Sequence, residues 1–157
     1  AGPSGAAYLQ EAGYAGGEQL FASFSDWLRA RGVETTPEEL PLEEFEARAT
    51  EFFREAGWGS ISIGSLRDAV ATIDSPDWGE ADDAGMLEHP SCHLTTGMFA
   101  DFFGRVADHA LAVLEVECRS TGGERCRFLL GAPEVMEHVY DALGNGQSYE
   151  EAVEAVE

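Results

Sequence analysis

"CHLTTGMFADFFGRVADHALAVLEVECRSTGGERC", residues 92–126, contains all three cysteines of the chain, one at its start and two around a Gly-Gly turn. Behind the first cysteine, Leu94, Met98 and Phe102 recur at helical spacing, with further aromatic residues beside them, which indicates a helix buried on a broad face. The segments LAVLEVEC and CRFLLG are typical of strands, and the glycines between them favour a hairpin. The stretch therefore predicts a helix and an antiparallel strand pair, with the thiols at the ends of these elements.

The sequence on either side extends this pattern. A periodic apolar face predicts a helix that ends at Gly32, preceded by a glycine-interrupted helical segment with a break near Gly16 and Gly17. The sequence TPEELP predicts the start of another helix, and WGSISIGSL and AVATID predict two strands. APEVMEHVYDALGNG predicts a helix closed by glycine, and SYEEAVEAVE the start of one more. This order predicts an α+β domain with a mainly antiparallel sheet packed with helices.

Length and composition predict one soluble domain. We interpret residues 1–157 as a single domain, long enough to bury a core without disulfides, in which residues 1–5 are a processing remnant or a disordered end. The odd number of cysteines, and a start that lacks the basic and apolar parts of a signal peptide, favour a reducing cytoplasmic location. The sequence also lacks an apolar run of the length that a membrane-spanning helix needs.

The charge of the chain bears on its partners. Thirty acidic residues against nine basic ones give a formal net charge of -21 at pH 7. Such a field repels the phosphates of nucleic acids and the surfaces of anionic lipids. We therefore expect no direct binding to nucleic acid and none to membranes.

The three thiols allow three interpretations. As thiolates they would bind tetrahedral zinc with one more ligand, for which the nearby candidates are His89, His93, Glu115 and Glu117. Strand alternation turns Glu115 and Cys118 to opposite faces, so a Glu and Cys pair of ligands requires a bulge or the end of the strand. Alternatively, the cysteines are small buried hydrophobic residues, or one of them is a catalytic nucleophile beside His93. Spacing alone does not separate the metal site from buried thiols.

Several motifs are similar to those of the 4-vinyl reductase domain family. PSCHLTTGMFADFFG resembles the family's helix that opens with Cys, and LEVECRSTGGERCRF its hairpin with E-x-x-C, a glycine-rich turn and C-x-F. EAGYAGGEQLFASF resembles the first helices, and GWGSISI with ATIDSPDWGE the central hairpin, so the resemblance covers about residues 8–140. The family includes bacteriochlorophyll-biosynthesis proteins and is related to the sensor domains of phenol-responsive transcription activators. It implies a fold similar to that of a vesicle-tethering subunit, a tendency to dimerise, and an apolar pocket between sheet and helices.

The resemblance also implies site residues. In the family's zinc-containing members three cysteines and one glutamate hold the ion, and the matching positions here are Cys92, Glu115, Cys118 and Cys126. A zinc ion with four protein ligands stabilises structure and does not activate water. The pocket would be lined by side chains of the central elements, namely Trp58, Ile61, Ile63, Met98, Phe99, Phe102, Phe103 and His109. Since an aromatic stripe is also typical of an ordinary core, only a cavity would distinguish the two.

The predicted function is binding of a hydrophobic or aromatic small molecule, as a carrier or sensor, with a tetrapyrrole precursor among the candidate ligands. An enzyme, or an accessory of one, that reduces a vinyl group of a (bacterio)chlorophyll precursor is the first alternative, but the sequence lacks the strand-G-x-G-x-x-G-helix context that binds dinucleotides. A protein-interaction module without a ligand is the second. A homodimer is expected, as is a partner enzyme or an effector domain.

Overall fold

The computed structural model describes residues 3–156, in which helices and strands follow one another in the predicted order. The helices are α1 (Pro3–Ala30), α2 (Leu42–Glu55), α3 (His93–Ala107), α4 (Pro133–Gly144) and α5 (Tyr149–Glu154). The strands are β1 (Ser62–Leu66), β2 (Val70–Ser75), β3 (Ala112–Glu117) and β4 (Cys126–Gly131). Single 3₁₀ turns at Pro37–Glu39 and Arg119–Thr121 precede α2 and separate β3 from β4. The predicted α+β class is confirmed.

The strands form one antiparallel sheet in the order β1-β2-β4-β3. Both predicted hairpins are present, and the pairing of β2 with β4 joins them, with Ala71 opposite Leu130 and Ser75 opposite Cys126. The sequence alone does not predict this pairing, because it depends on how the two hairpins meet. Its consequence is that β1 and β3 are the two edge strands.

The helices cover both faces of the sheet. Successive side chains of β4 point to opposite faces, so Phe128 enters an aromatic core with α2 and α3, and Leu129 a second cluster with α4 and α5. On the aromatic side, the ring of Phe99 lies 5.1 Å from that of Phe128 and 5.9 Å from that of Phe53. No helix among the described residues is long and apolar enough to cross a membrane.

Helix α1 is continuous through Gly16 and Gly17, so the predicted break is wrong. Gly17 faces α3, where an added β-carbon would lie 2.2 Å from Oδ2 of Asp101. The glycine therefore permits a close helix contact, whose packing outweighs its low helix propensity. The prediction that residues 1–5 are a remnant or disordered end falls partly outside the described residues, and α1 begins at Pro3.

Candidate metal centre

Four side chains from the predicted stretch meet at the end of the β3–β4 hairpin. One potential ligand atom from each of Cys92, Glu115, Cys118 and Cys126 lies within 4.8 Å of the others. Cys92 is the residue before α3, Glu115 lies in β3, Cys118 follows that strand, and Cys126 begins β4. All three thiols are buried. The fold thus brings together the four side chains that the family resemblance implies.

A β-bulge makes it possible for Glu115 and Cys118 to share the centre. Glu115 pairs with Phe128 and Glu117 with Arg127, so the register shifts between the two glutamates. This is the irregularity that a Glu and Cys pair of ligands requires. A bulge of this kind redirects the side chains that follow it.

Glu117 is turned away from the centre. Its carboxylate forms an ion pair with Arg125 at 3.1 Å and accepts a hydrogen bond from the hydroxyl of Tyr149. Its charge therefore belongs to a network with Arg125, Arg127 and Asp74 on the neighbouring strands. Of the two glutamates in LEVEC, only Glu115 faces the thiols.

The glycine-rich turn is closed on the carbonyl of Cys118. The backbone N–H groups of Thr121 and Gly123 each donate to that oxygen at 3.2 Å, and the hydroxyl of Thr121 donates to it at 2.9 Å. Gly122 has a φ of 91°, a conformation that favours glycine. The turn holds Cys118 and Cys126 at neighbouring ends of the hairpin.

The loop before α3 is fastened to the same turn. The hydroxyls of Ser91 and Ser120 share a hydrogen bond of 2.6 Å, and the N–H of Leu87 donates to the carbonyl of Ser120 at 2.9 Å. The backbone N–H of Cys92 donates to Oε1 of Glu115 at 2.9 Å. These contacts fix Cys92, which is distant in sequence, against the hairpin.

The protonation of the centre is strongly coupled. Burial raises the pKa of Glu115 to about 8. Hydrogen bonds from the thiols of Cys126 and Cys92 lower the pKa of Cys118 far below its usual range, while those same bonds to Cys118 raise the pKa of Cys92 and bring that of Cys126 to about 12. The four groups therefore share protons in a space from which water is largely excluded, and a bound cation would displace these protons.

One carboxylate oxygen of the centre has no partner. Oε2 of Glu115 is buried and accepts no hydrogen bond within the described part of the chain. A buried polar atom left in this way costs about 1–3 kcal/mol. Three sulfur atoms and this oxygen are a donor set that suits a zinc ion, so the residues present fit a metal.

The two histidines considered as ligands are not members of the cluster. His93 is half-buried in the first turn of α3, and His89 is exposed in the preceding loop. The residue before a helix and the first residue within it point in different directions. This explains why Cys92 reaches the centre and His93 does not.

The predicted pocket residues lie mainly in the aromatic core. Phe99, Phe102 and Phe103 are buried and contact one another edge to face, with ring centroids 5.0–5.2 Å apart for the pairs that include Phe103. Ile61 and Met98 are buried in the same cluster, with Trp58 and Ile63 packed half-buried against it. These side chains fill the space between sheet and helices with one another.

His109 lies apart from the other predicted pocket residues. Helix α3 ends at Ala107, and His109 is exposed in the turn that leads to β3. Its backbone N–H donates to the carbonyl of Gly104 at 3.2 Å, and its ring bonds to the neighbouring carbonyl of Ala110. The residue therefore takes part in the end of the helix.

Two residues that the sequence reasoning missed lie at the heart of the core. Nε1 of Trp78 donates to the hydroxyl of Thr95 at 2.7 Å, and that hydroxyl donates to Glu80 at 2.6 Å. Glu80 also accepts the N–H groups of Leu94 and Thr95, which satisfies the start of α3. Glu80 stands too far before the helix to match a capping motif, but the sequence DWGE inside a turn was the available signal.

Comparisons with known proteins identify the domain. The model of the 4-vinyl reductase domain family matches residues 78–132, and no curated protein sequence matches the chain. The phenol-responsive sensory domain of the transcription activator PoxR, solved with phenol, aligns with 83% of this chain and 74% of its own at a TM-score of 0.50 and 16% identity. A vinyl-4-reductase family protein from Methanocaldococcus jannaschii aligns with 71% of this chain and 76% of its own at a TM-score of 0.48 and 23% identity. The likeness to the PoxR domain shows a shared fold. Residues 78–132 therefore belong to the 4-vinyl reductase domain family, as the cysteine-bearing stretch predicts.

Proposed function

We propose that the chain is a zinc-stabilised domain that binds a hydrophobic or aromatic small molecule, as a carrier or a sensor. The observation that carries the zinc part is the buried cluster of three thiols and one carboxylate, with an oxygen of Glu115 left without a partner. Thiolates select zinc among the common cations, and hard cations such as magnesium prefer oxygen ligands.

The zinc ion would have a structural role. Cys92, Glu115, Cys118 and Cys126 would together complete a tetrahedron, which leaves no position for a water molecule. The ion would join the start of α3 to the β3–β4 hairpin, which are otherwise linked by the bond from Cys92 to Glu115 and by contacts of the loop between them. Its binding free energy would then be part of the folding free energy.

Native mass spectrometry of the purified chain tests the zinc proposal. We expect one zinc ion per chain in the wild type and none in Cys126→Ser, with a melting temperature lower by more than about 5 °C. Val139→Ala is the matched control, because it removes buried volume from the other face of the sheet and leaves the cluster untouched. It should be destabilised and still hold zinc. Zinc retained by Cys126→Ser, or absent from the wild type purified without chelator, would contradict the proposal.

The ligand would bind between the sheet and α3. The PoxR sensory domain, solved with phenol, shares this fold, which supports an aromatic ligand at the corresponding layer. In the present chain Phe99 is surrounded there by the rings of Phe53, Trp78, Phe103 and Phe128. Because these rings fill the layer, the ligand would enter by displacing some of them. Binding would therefore change the packing of the core, as a sensor requires.

The size of this layer bears on the ligand class. A single aromatic ring can replace the volume of one displaced phenylalanine, whereas a tetrapyrrole precursor, the other ligand class considered, would require most of the core to open. The packed core thus favours the smaller ligand. A carrier would deliver it to a partner enzyme, and a sensor would pass the change of packing to an effector domain.

Tryptophan fluorescence and thermal shift with phenol as the probe test the ligand proposal. Trp78 is buried against Phe99 and stacked on Trp58, so a change in this core should alter its emission. We expect phenol to raise the melting temperature and change the emission of Trp27→Phe as it does that of the wild type, since Trp27 is only partly buried. Cyclohexanol is the matched non-aromatic control. An unchanged melting temperature at saturating phenol would contradict aromatic-ligand binding without affecting the zinc proposal.

We also propose that the domain forms a homodimer. Tyr8 and Leu9 on α1 are 71% and 40% exposed, which places apolar surface on the outer helix. Light scattering after size exclusion measures the mass directly. Two copies per particle in the wild type, and one in a variant with both residues changed to Ser, are the expected results.

A further inference from the structure

The edge strand β3 runs along a continuous trough. On one side, a pocket of about 520 Å³ lies between α1, α3 and β3. On the other side, a pocket of about 910 Å³ lies between β3, α4 and the loop before α3. A smaller pocket of about 170 Å³ shares Gln10, Thr96 and Val113 with the first, and Pro90, Leu114 and Glu115 with the other. We refer to these three pockets together as the β3 trough.

The backbone of β3 is open at this trough. Within the described residues, the backbone of residues 112–115 bonds to β4 and to no other element. An edge strand of an antiparallel sheet leaves every second N–H and C=O without a partner. Natural edges are usually protected by lysine, proline, a charge or a bulge. Here Ala112, Val113 and Leu114 offer none of these, and the bulge follows only at Glu115.

The charged groups around the trough favour a cationic occupant. Glu11 and Asp141 are exposed and lie on opposite sides of β3, and no arginine lines the three pockets. Tyr14 and Tyr140, which line the two larger pockets, are 56% and 65% exposed, and exposed tyrosines stack well on guanidinium groups. A second copy of the chain would bring the same net charge of -21 to this edge, which disfavours self-association there.

We propose that the β3 trough binds an extended, basic segment of a partner protein, which adds a strand to the sheet beside β3. The backbone of the segment would bond to the open groups of residues 112–115, and its alternate side chains would enter the pockets on the two sides of the strand. Its cationic side chains would reach Glu11 on one side and Asp141 on the other. This surface is independent of the aromatic core, so the proposal stands whether or not the core binds a ligand.

Peptide titration followed by amide NMR tests the proposal on the whole zinc-loaded chain. The probe is the acetylated heptapeptide RVTVTVR, compared with the same peptide N-methylated at every second amide and with EVTVTVE. We expect RVTVTVR to shift the amide signals of residues 112–115 with saturation. The methylated peptide should bind about tenfold more weakly or worse, because it loses several backbone hydrogen bonds. The acidic peptide should bind more weakly as well.

Charge reversals that leave the fold intact locate the site. Glu11→Lys and Asp141→Lys should each weaken binding of RVTVTVR about threefold, whereas Glu43→Lys, an equal charge change on the exposed side of α2, should not. Equal affinity of the N-methylated peptide, or an equal loss in Glu43→Lys, would show unspecific charge attraction and overturn the proposal. So would the absence of shifts at residues 112–115 with millimolar peptide. Shifts there on concentrating the protein alone would assign the edge to a second copy and overturn the proposed partner.

Discussion

Gly97 of α3 lies against the backbone of Gln10 in α1, so closely that a β-carbon at Gly97 would be 1.9 Å from the carbonyl oxygen of Gln10. The reciprocal contact is similar, since a β-carbon at Gly13 would be 2.0 Å from the carbonyl oxygen of Leu94. Glycines from both helices thus form a crossing with backbone on backbone. This contact holds α1 against the helix that carries Cys92 at its start.

Gly97→Ala should destabilise the domain by about 3 kcal/mol, because the helices must separate to admit the methyl group. Gly16→Ala is the matched control, since it lies in α1 with open space around it. The control should be stabilised by about 0.5–1 kcal/mol through helix propensity. Urea unfolding measures both. A Gly97→Ala chain as stable as the wild type would show that the two helices do not cross so closely.

The glycines also show what the sequence could and could not predict. The spacing of apolar residues predicts the type and order of nearly every element, because it depends on neighbours within one helix or strand. The role of Gly17 depends on Asp101, which is remote in sequence, and local propensity therefore indicates a break where none exists. The aromatic stripe of α3 was visible, but not whether it surrounds a cavity or a packed core.

The metal centre divides in the same way. The resemblance implies Glu115 rather than Glu117, whereas strand alternation alone places both on one face. The bulge between them, and the ion pair of Glu117 with Arg125, separate their roles. Trp78 was missed because its importance arises from rings and a hydroxyl that other elements contribute.

Thr95→Val should lower the free energy of unfolding by about 1–3 kcal/mol, because it leaves the buried N–H of Trp78 without an acceptor. Thr95→Ser keeps the hydroxyl and is the control for the lost contact. Urea unfolding should place Thr95→Ser clearly above Thr95→Val, with a shift of tryptophan emission in the valine variant only. Equal stabilities of the two variants would mean that this hydrogen bond contributes little.

The side chain of Tyr149 should make stability depend on alkaline pH. Burial, with its hydrogen bond to Glu117, raises the pKa of Tyr149 to about 12 from its usual 10. A raised pKa favours the protonated form in the folded state, so its stabilising contribution is complete below pH 10 and is lost between pH 10 and about 12. Urea midpoints across that range should fall less steeply in Tyr149→Phe than in the wild type. Tyr140→Phe, which removes an exposed hydroxyl from α4, should fall as the wild type does. Parallel curves for all three chains would contradict the prediction.

At low pH the partner Glu117 should contribute in the opposite sense. The guanidinium of Arg125 lowers the pKa of Glu117 from its usual 4.5, with burial acting against it and Tyr149 adding to it. A lowered pKa means that the contribution is present above pH 4.5 and is lost as the pH falls through the folded-state value. Glu117→Gln should therefore flatten part of the acid limb of stability, measured by urea unfolding between pH 5 and about 2. Glu124→Gln, in the exposed turn, provides the comparison and should retain the wild-type slope. A wild-type slope in Glu117→Gln would mean that the ion pair is absent in solution.

Removal of the metal should expose the three thiols together. All three are buried, and as zinc ligands they would be unreactive toward a thiol reagent until the ion leaves. We expect the native chain to react negligibly with Ellman's reagent, and to release one zinc ion as three thiols react when a strong chelator is added. The two events should share one rate, because the thiolates lose their common cation at once. In Glu115→Gln, which keeps the shape of the side chain and removes its charge, the rate should rise about tenfold or more, since a carboxylate ligand is lost. Ser91→Ala, next to Cys92 and outside the proposed ligand set, should change the rate far less. Thiols that react one by one, at a rate independent of the chelator, would show that burial alone protects them and that the cluster holds no metal.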